Sequence, residues 1–247
     1  KQAHVSLWIP EYYYFLGKSN TRLVLEEVWR NPEDKAQFCL IFPAEQTPFD
    51  GDSWAVSLRY DASGHVLDHQ AATTNASVLE QLLKKEYRKF SQQRLAKGGS
   101  AVEFLGWASP PQYDADLKVL FWPMVMRFEG RAEEVLNYKV RRFGRVGTVE
   151  LNFIGPMSSF EEIEDHLIEV VAMIEFDPGF RYNDFTFGLD KVSKDDFWPQ
   201  ALVTETGGQE STSWRVRLLQ FLALPMLIII AHQLYALFWR KPKPSSN

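Results

Sequence analysis

The chain has 247 residues, of which 45% are hydrophobic and 14% aromatic, and its formal net charge is −5. Apolar residues in this proportion supply a sizeable core and exclude disorder over most of the length. The acidic balance argues against a nucleic-acid-binding protein, because binding phosphates requires a basic surface.

The N-terminal part predicts short strands around one helix. The chain begins with Lys1 rather than Met, which suggests that a signal peptide was removed, although a shortened chain would begin in the same way. Alternation predicts a strand over Val5–Ile9, and Ser19 or Asn20 is placed to cap a short helix that ends at Trp29. Two strand-like runs follow, at Gln37–Phe42 and Ser53–Tyr60.

The single cysteine, Cys39, lies inside the run Gln37–Phe42. A thiol in such a run behaves as a small buried hydrophobic group, so a core position is favoured over a reactive role. With one cysteine the chain forms no internal disulfide, and the count does not fix a redox compartment.

A helix of about twenty residues is predicted next, because a capping box stands at Ser77-Val-Leu-Glu80 and a stop at Gly98-Gly99. Apolar residues recur between them with a helical period: Leu79, Leu82, Leu83, Tyr87 and Phe90.

Strand patterns dominate the middle of the chain, over residues 101–108, 117–129, 135–143 and 148–154. The turn Gly144-Arg-Val-Gly147 joins the last two strands and predicts an antiparallel meander. Ser158-Ser-Phe-Glu161 then opens another capped helix. Together these elements predict an α+β fold, with an antiparallel meander packed against amphipathic helices in a sandwich-like arrangement.

The run Leu218–Trp239 contains no formal charge and is flanked by Arg215 and Arg217 on one side and by Arg240, Lys241 and Lys243 on the other. As a helix it extends about 33 Å, which matches the hydrocarbon thickness of a bilayer. We therefore predict one transmembrane helix, with a short cytoplasmic tail favoured by the basic flank. The predicted layout is an exported domain over 1–203, a polar tether over 204–217, the span over 218–239 and a basic tail over 240–247.

Three polar residues, Gln220, His232 and Gln233, interrupt this predicted span, as does Pro225, which removes a backbone donor. Polar groups in lipid need partners, so these residues either contact another membrane protein or are tolerated within a solitary helix. Before the tether, Phe176–Trp198 is rich in aromatic and turn residues and predicts an irregular segment that wraps the domain. Tyr182, Phe185 and Trp198 are its candidate membrane or partner contacts.

Catalytic motifs are absent from the sequence, which has neither a nucleophile elbow nor a phosphate-binding glycine loop. We therefore assign no catalytic residue, no cofactor and no metal. His65 and His69 lie four residues apart, but an exposed loop is favoured over a metal site because no third ligand is near. The residues best suited to an unrecognised polar site are Arg127, Asn137, Tyr138, Arg141 and Asp184.

Three segments resemble a bacterial family of membrane-anchored proteins, domain of unknown function 2167. They are Gly106–Asp114, Asn137–Asn152 and Pro178–Phe185, the last followed by Asp190-Lys191. The resemblance implies a removed signal peptide, an exported domain and a C-terminal span. It supplies no catalytic residue, because the family has no established activity. In outline only, the order of elements is also similar to the sandwich of photosystem-associated extrinsic proteins.

These features favour an accessory or scaffold subunit of the bacterial inner membrane, with a periplasmic domain and a cytoplasmic C-terminus. Its expected partners are the lipid bilayer and an integral membrane protein or larger membrane complex. Two alternatives stay open, an envelope-associated hydrolase and a ligand-binding sensor. A deep apolar cavity would favour the sensor.

Overall fold

The computed structural model describes residues 3–29, 37–68, 75–96 and 99–193. All of them belong to one compact unit. None of the helices in these ranges combines the length and apolarity that crossing a bilayer requires. The predicted tether, span and tail lie outside the described residues.

Two antiparallel sheets form the framework. The smaller pairs β1 (Val5–Leu7) with β10 (Ile174–Phe176), so that Val5 faces Phe176 across the strands. The larger contains β2 (Tyr13–Gly17), β3 (Gln37–Pro43), β4 (Ala55–Asp61), β5 (Val102–Trp107), β6 (Gln112–Asp114), β7 (Val119–Phe128), β8 (Val135–Phe143) and β9 (Thr148–Pro156). Its strand order is β2-β3-β4-β9-β8-β7-β5, and β6 also pairs with β7.

Helices cover both faces of the larger sheet. They are α1 (Lys18–Arg22), which continues into a π-helical turn (Leu23–Val28), α2 (Ala76–Ala96) and α3 (Phe160–Ala172). On one face, α3 buries Ile163 and Leu167 in a cluster with Leu151 and Phe153 of β9. On the other face, α2 packs on β5 and β7, while the π-helical turn packs on β3 and β4.

Burial of apolar side chains holds these layers together, because each buried Leu, Ile or Phe contributes roughly 1.5–3 kcal/mol. The predicted α+β class and the antiparallel meander of β7, β8 and β9 are confirmed. Cys39 is buried in β3 as predicted, and burial raises the pKa of its thiol to about 12.

The helix starts differ from the predicted ones. The first N–H groups of α2 donate to Asn75 Oδ1, from Ser77 at 2.9 Å and Val78 at 3.4 Å. Asn75 therefore caps this helix rather than Ser77, because its side-chain oxygen accepts from the N–H groups of the second and third helical residues. The α3 helix has no side-chain cap. A 3-10 turn at Met157–Ser159 directly precedes it instead.

Some apolar residues of the helices are exposed, among them Leu23 and Leu82. Leu23 is 58% and Leu82 is 51% exposed, whereas Val24 and Leu83 beside them are buried. Each helix contacts the sheet along a stripe narrower than the apolar pattern in its sequence.

Candidate functional site

The segment after β10 folds across the end of the larger sheet where β7 starts and β8 ends. Arg181 forms an isolated antiparallel bridge with Gly144, and Val192 forms a parallel one with His65. The His65 N–H donates to Lys191 O at 2.8 Å, and the Ser193 N–H donates to His65 O at 2.7 Å. The described part of this segment contains one short 3-10 helix, Tyr182–Asp184, and otherwise wraps the domain irregularly.

The three segments that carry the family resemblance meet at this end of the sheet. Each contributes one aromatic ring: Tyr113 from the first, Phe143 from the second and Tyr182 from the third. The ring centroids of Tyr113 and Phe143 lie 5.9 Å apart, and those of Phe143 and Tyr182 lie 6.3 Å apart. Segments distant in sequence thus build one local structure.

Asp68 joins these rings through a polar network. Its Oδ2 accepts hydrogen bonds from Tyr113 Oη at 2.9 Å and from Lys118 Nζ at 2.8 Å. Tyr182 Oη donates to the Val66 carbonyl at 3.0 Å and accepts from the Asp68 N–H at 3.1 Å. The Lys118 ammonium also lies 5.0 Å from the centre of the Tyr182 ring, which is a favourable cation–π distance.

This network fixes the charges of its members at neutral pH. Burial alone would raise the pKa of Asp68, but the hydrogen bonds from Lys118 and Tyr113 outweigh it and hold that pKa below its usual range. Burial, followed by the charge of Asp68, raises the pKa of Tyr182 to about 12. The pKa shifts therefore keep Asp68 ionised and Tyr182 neutral at neutral pH.

His65 lies beneath the same segment and is only 2% exposed. Its ring stacks on Phe185 with the centroids 3.9 Å apart and lies 4.4 Å from the Tyr182 ring. Burial lowers the pKa of this histidine, which favours the neutral imidazole. The expectation of an exposed loop is thus wrong for His65, because the segment that covers it comes from far along the chain. His69 lies outside the described residues, which contain no group of three metal-binding side chains.

A short loop, Thr186–Asp190, projects from this end of the domain. Arg145 Nε and Nη2 donate to the two carboxylate oxygens of Asp190 at 2.9 and 3.0 Å. The Thr186 N–H also donates to Asp190 at 2.6 Å, and Gly188 takes the positive φ of +83° that the turn requires. Between these anchors, the side chains of Phe187 and Leu189 are 89% and 83% exposed.

A cavity of about 370 Å³ opens beside Tyr182, between the ends of β7, β8 and α3. Three cationic residues line it, namely Lys118, Arg142 and Arg181, together with the acidic Glu175. The remaining lining is mainly apolar and comes from Leu117, Phe143, Ala172, Ile174 and Phe176.

A second group of charges is buried within the sheet. Glu150 of β9 lies opposite Arg59 of β4 and Arg141 of β8. Its carboxylate accepts from Arg59 Nε at 2.5 Å and from Arg141 Nε at 3.0 Å. Burial would raise the pKa of Glu150, but the two guanidinium groups prevail and lower it to about 2. All three side chains are at most 10% exposed, so the group is part of the core.

The family model for proteins of unknown function, DUF2167, matches residues 1–211. The chain therefore belongs to DUF2167. No curated protein matches it. Among solved structures it is similar to the solution structure of cyanobacterial PsbP (CyanoP) from Synechocystis sp. PCC 6803. The match covers 70% of this chain and 86% of that chain, at 7% identity and a TM-score of 0.38.

The residues suggested for a polar site lie in different places in this DUF2167 domain. Asn137 and Arg141 share one face of β8, where Asn137 Oδ1 accepts from Asn152 at 3.3 Å. Tyr138 points to the opposite face, 6.3 Å from the Phe160 ring. Arg127 is exposed and paired with Glu134. Asp184 accepts from the Arg181 N–H in its own turn at 2.9 Å. None of the five suggested residues lines the cavity.

Of the suggested contact residues, Tyr182 and Phe185 are half-buried against His65. Trp198, Gln220, Pro225, His232 and Gln233 lie outside the described residues. The sequence patterns did not identify Phe187, Leu189, Lys118 or Arg142 as candidate site residues. For Arg142 a signal existed, since it stands within the second DUF2167 segment. For the other three, only the tertiary structure shows their exposure or their place in the cavity.

Proposed function

We propose that this DUF2167 chain is a membrane-anchored accessory subunit of the bacterial inner membrane. Its periplasmic domain and its C-terminal helix bind an integral membrane protein within a larger assembly, and its short tail is cytoplasmic. It works as a binding component rather than an enzyme.

The observation that carries this proposal is the exposed pair Phe187 and Leu189. Large apolar side chains exposed next to each other are typical of protein-binding surfaces. Two hydrogen bonds from Arg145 to Asp190 anchor the loop that carries both exposed side chains. Burial by a partner would contribute roughly 1.5–3 kcal/mol to the free energy of binding for each of the two residues. The entropic cost of ordering the loop would be small, because the loop is already anchored.

The sequence of the predicted span also supports this proposal. The loop comes shortly before the predicted tether and span in the sequence, and the span contains Gln220, His232 and Gln233. Such side chains in a bilayer are stabilised by hydrogen bonds to a second helix. One membrane partner is therefore able to contact both the loop and the helix.

The test is photo-crosslinking in native membranes of the full-length chain, with a photoreactive amino acid in place of Phe187 or Leu189. We expect crosslinks to one discrete membrane protein, which also co-purifies with the unsubstituted chain after detergent extraction. The double variant Phe187→Ser, Leu189→Ser should lose most of this co-purification.

Phe49 provides a matched control. It is 79% exposed, and its loop is also braced by an aspartate, since Thr47 Oγ1 donates to Asp50 at 2.8 Å. Phe49→Ser should leave the partner bound, and a photoreactive group at this position should not reach it. Crosslinks from positions 187 and 189 to lipid alone, or a monomer with no co-purifying protein, would contradict the proposal.

A further inference from the structure

The cavity beside Tyr182 has a chemically mixed lining. Lys118, Arg142 and Arg181 contribute cationic groups to it, and Ile174 and Phe176 contribute apolar side chains. A volume of about 370 Å³ is within the range of small-molecule sites. The cavity is partly open, so a ligand has access from solvent.

Arg142 is the least compensated of the three cations. Its Nη1 donates to the backbone carbonyls of Val171, at 2.9 Å, and of Ile174. In the described parts of the chain, no carboxylate lies within ion-pair distance of its guanidinium. Burial, opposed by the nearby charge of Glu175, lowers the pKa of Arg142. A half-buried guanidinium that donates only to neutral oxygens is stabilised when an anion enters beside it.

The other two cations are held at the cavity by their own partners. Lys118 is fixed by its 2.8 Å bond to Asp68 and has a positive φ of 55°, which is unusual for a residue with a side chain. Arg181 Nη2 lies 3.0 Å from Glu175 Oε1 in an exposed pair. Exposed ion pairs contribute little to stability, so Arg181 can exchange Glu175 for a bound anion at small cost.

We propose that this cavity binds a small amphiphilic anion. Its carboxylate or phosphate group would lie against Arg142 and Arg181, and its short aliphatic or aromatic body against Ile174 and Phe176. The mixed lining suits both the anionic group and the apolar body of this ligand. A lining of cations alone would suit a free inorganic ion, and a lining of apolar side chains alone would suit a neutral compound. This site is separate from the Phe187–Leu189 pair and does not depend on the proposed partner.

The test is calorimetric titration of the full chain in phosphatidylcholine nanodiscs, with empty nanodiscs as the background. The probes are hexanoate, hexyl phosphate, hexylammonium and inorganic phosphate. We expect saturable binding of hexanoate or hexyl phosphate at one site per chain, and none of hexylammonium. Preference for hexyl phosphate would indicate a phospholipid-like ligand, and preference for hexanoate a carboxylic acid.

Three variants locate the site. Ala172→Glu places a carboxylate in the cavity lining from an exposed helix position and should weaken binding at least ten-fold. Arg142→Gln should do the same, with the melting temperature measured to confirm folding. Arg127→Gln removes an exposed cation outside the cavity lining and should leave the affinity unchanged.

Four results would overturn the proposal. The first three are the lack of saturable binding by either anionic amphiphile, equal binding of hexylammonium, and an unchanged affinity in Ala172→Glu. Binding of inorganic phosphate as tight as that of hexyl phosphate would also overturn it, because the apolar wall would then contribute nothing.

Discussion

Arg145 and Asp190 are joined by two hydrogen bonds of 2.9 and 3.0 Å across 45 residues of sequence. The same carboxylate accepts from the Thr186 N–H, so one side chain closes the loop and attaches it to the domain. The hydrogen bonds from Arg145 and Thr186 hold the pKa of Asp190 below its usual range, which keeps it ionised at neutral pH. A rigid loop is what allows two apolar side chains to stay exposed.

Asp190→Asn should loosen this loop without unfolding the domain. The amide side chain lacks the charge and one of the two acceptor oxygens, so the hydrogen bonds from Arg145 are weakened. We expect at least about ten-fold faster hydrogen exchange at the backbone amides of Thr186 and Leu189.

The control is Glu103→Gln, which alters an exposed contact of 3.7 Å with Arg127. Exchange in the Thr186–Asp190 loop should be the same as in the unsubstituted chain. If Asp190→Asn also left the loop exchange unchanged, the bidentate ion pair would not be what holds the loop.

Glu150→Gln should destabilise the whole domain. The carboxylate is the shared partner of Arg59 and Arg141, and all three side chains are buried in the sheet. Removing one partner of a buried ion pair leaves charge uncompensated, so we expect a loss of about 3–5 kcal/mol in the free energy of unfolding. Urea unfolding followed by tryptophan fluorescence measures it.

For comparison, Glu86→Gln removes an exposed partner of Lys89 on α2. This change should alter the free energy of unfolding by less than about 1 kcal/mol. Equal losses of unfolding free energy in Glu150→Gln and Glu86→Gln would show that burial does not increase the contribution of the Glu150 ion pairs to stability.

The same carboxylate should make stability depend on pH. Its folded pKa of about 2 is below its ordinary value of 4.5, so the unfolded chain binds the proton first as the pH falls. The contribution of Glu150 is therefore complete above about pH 5 and decreases between pH 4.5 and pH 2, by about 2 kcal/mol at pH 3.

Glu150→Gln lacks this proton-binding site. The difference in unfolding free energy between the original chain and the variant should therefore narrow as the pH falls from 5 to 3. A difference that stays constant over this range would show that the folded pKa is not lowered.

The sequence was sufficient to predict the local elements and the fold class. In α3, the period of Ile163 and Leu167 identifies the buried face correctly, since one amphipathic helix needs only its own pattern. The pairing of β1 with β10, by contrast, joins Val5 to Phe176 across most of the described chain. No local pattern specifies such a partner.

The buried charges show why the candidate site was harder to predict. In β8, Asn137 and Arg141 alternate with apolar residues, which is the pattern of a strand with one face in solvent. Arg141 is instead only 4% exposed, because Glu150 on the neighbouring strand β9 compensates its charge within the core. That compensation depends on the strand order, which the sequence does not reveal.

We expect the variant Lys118→Gly to be more stable than the variant Lys118→Ala. Either substitution removes the bond to Asp68, but only glycine adopts the φ of 55° without steric cost. A residue with a Cβ pays about 1–2 kcal/mol in this region. After allowing for the greater freedom of glycine in the unfolded chain, we expect Lys118→Gly to exceed Lys118→Ala by about 1 kcal/mol in unfolding free energy.

Lys84 offers a control at which the glycine variant should be less stable than the alanine variant. It lies within α2 and pairs with Glu80 at 2.6 Å, so both substitutions again remove one ion pair. Inside a helix glycine is less stable than alanine by about 1 kcal/mol. The same urea titration measures the difference in unfolding free energy between the glycine and alanine variants at each position. Opposite signs of this difference at positions 118 and 84 would identify the backbone conformation of Lys118 as the cause. Matching signs would mean that position 118 relaxes out of the left-handed region once its bond to Asp68 is lost.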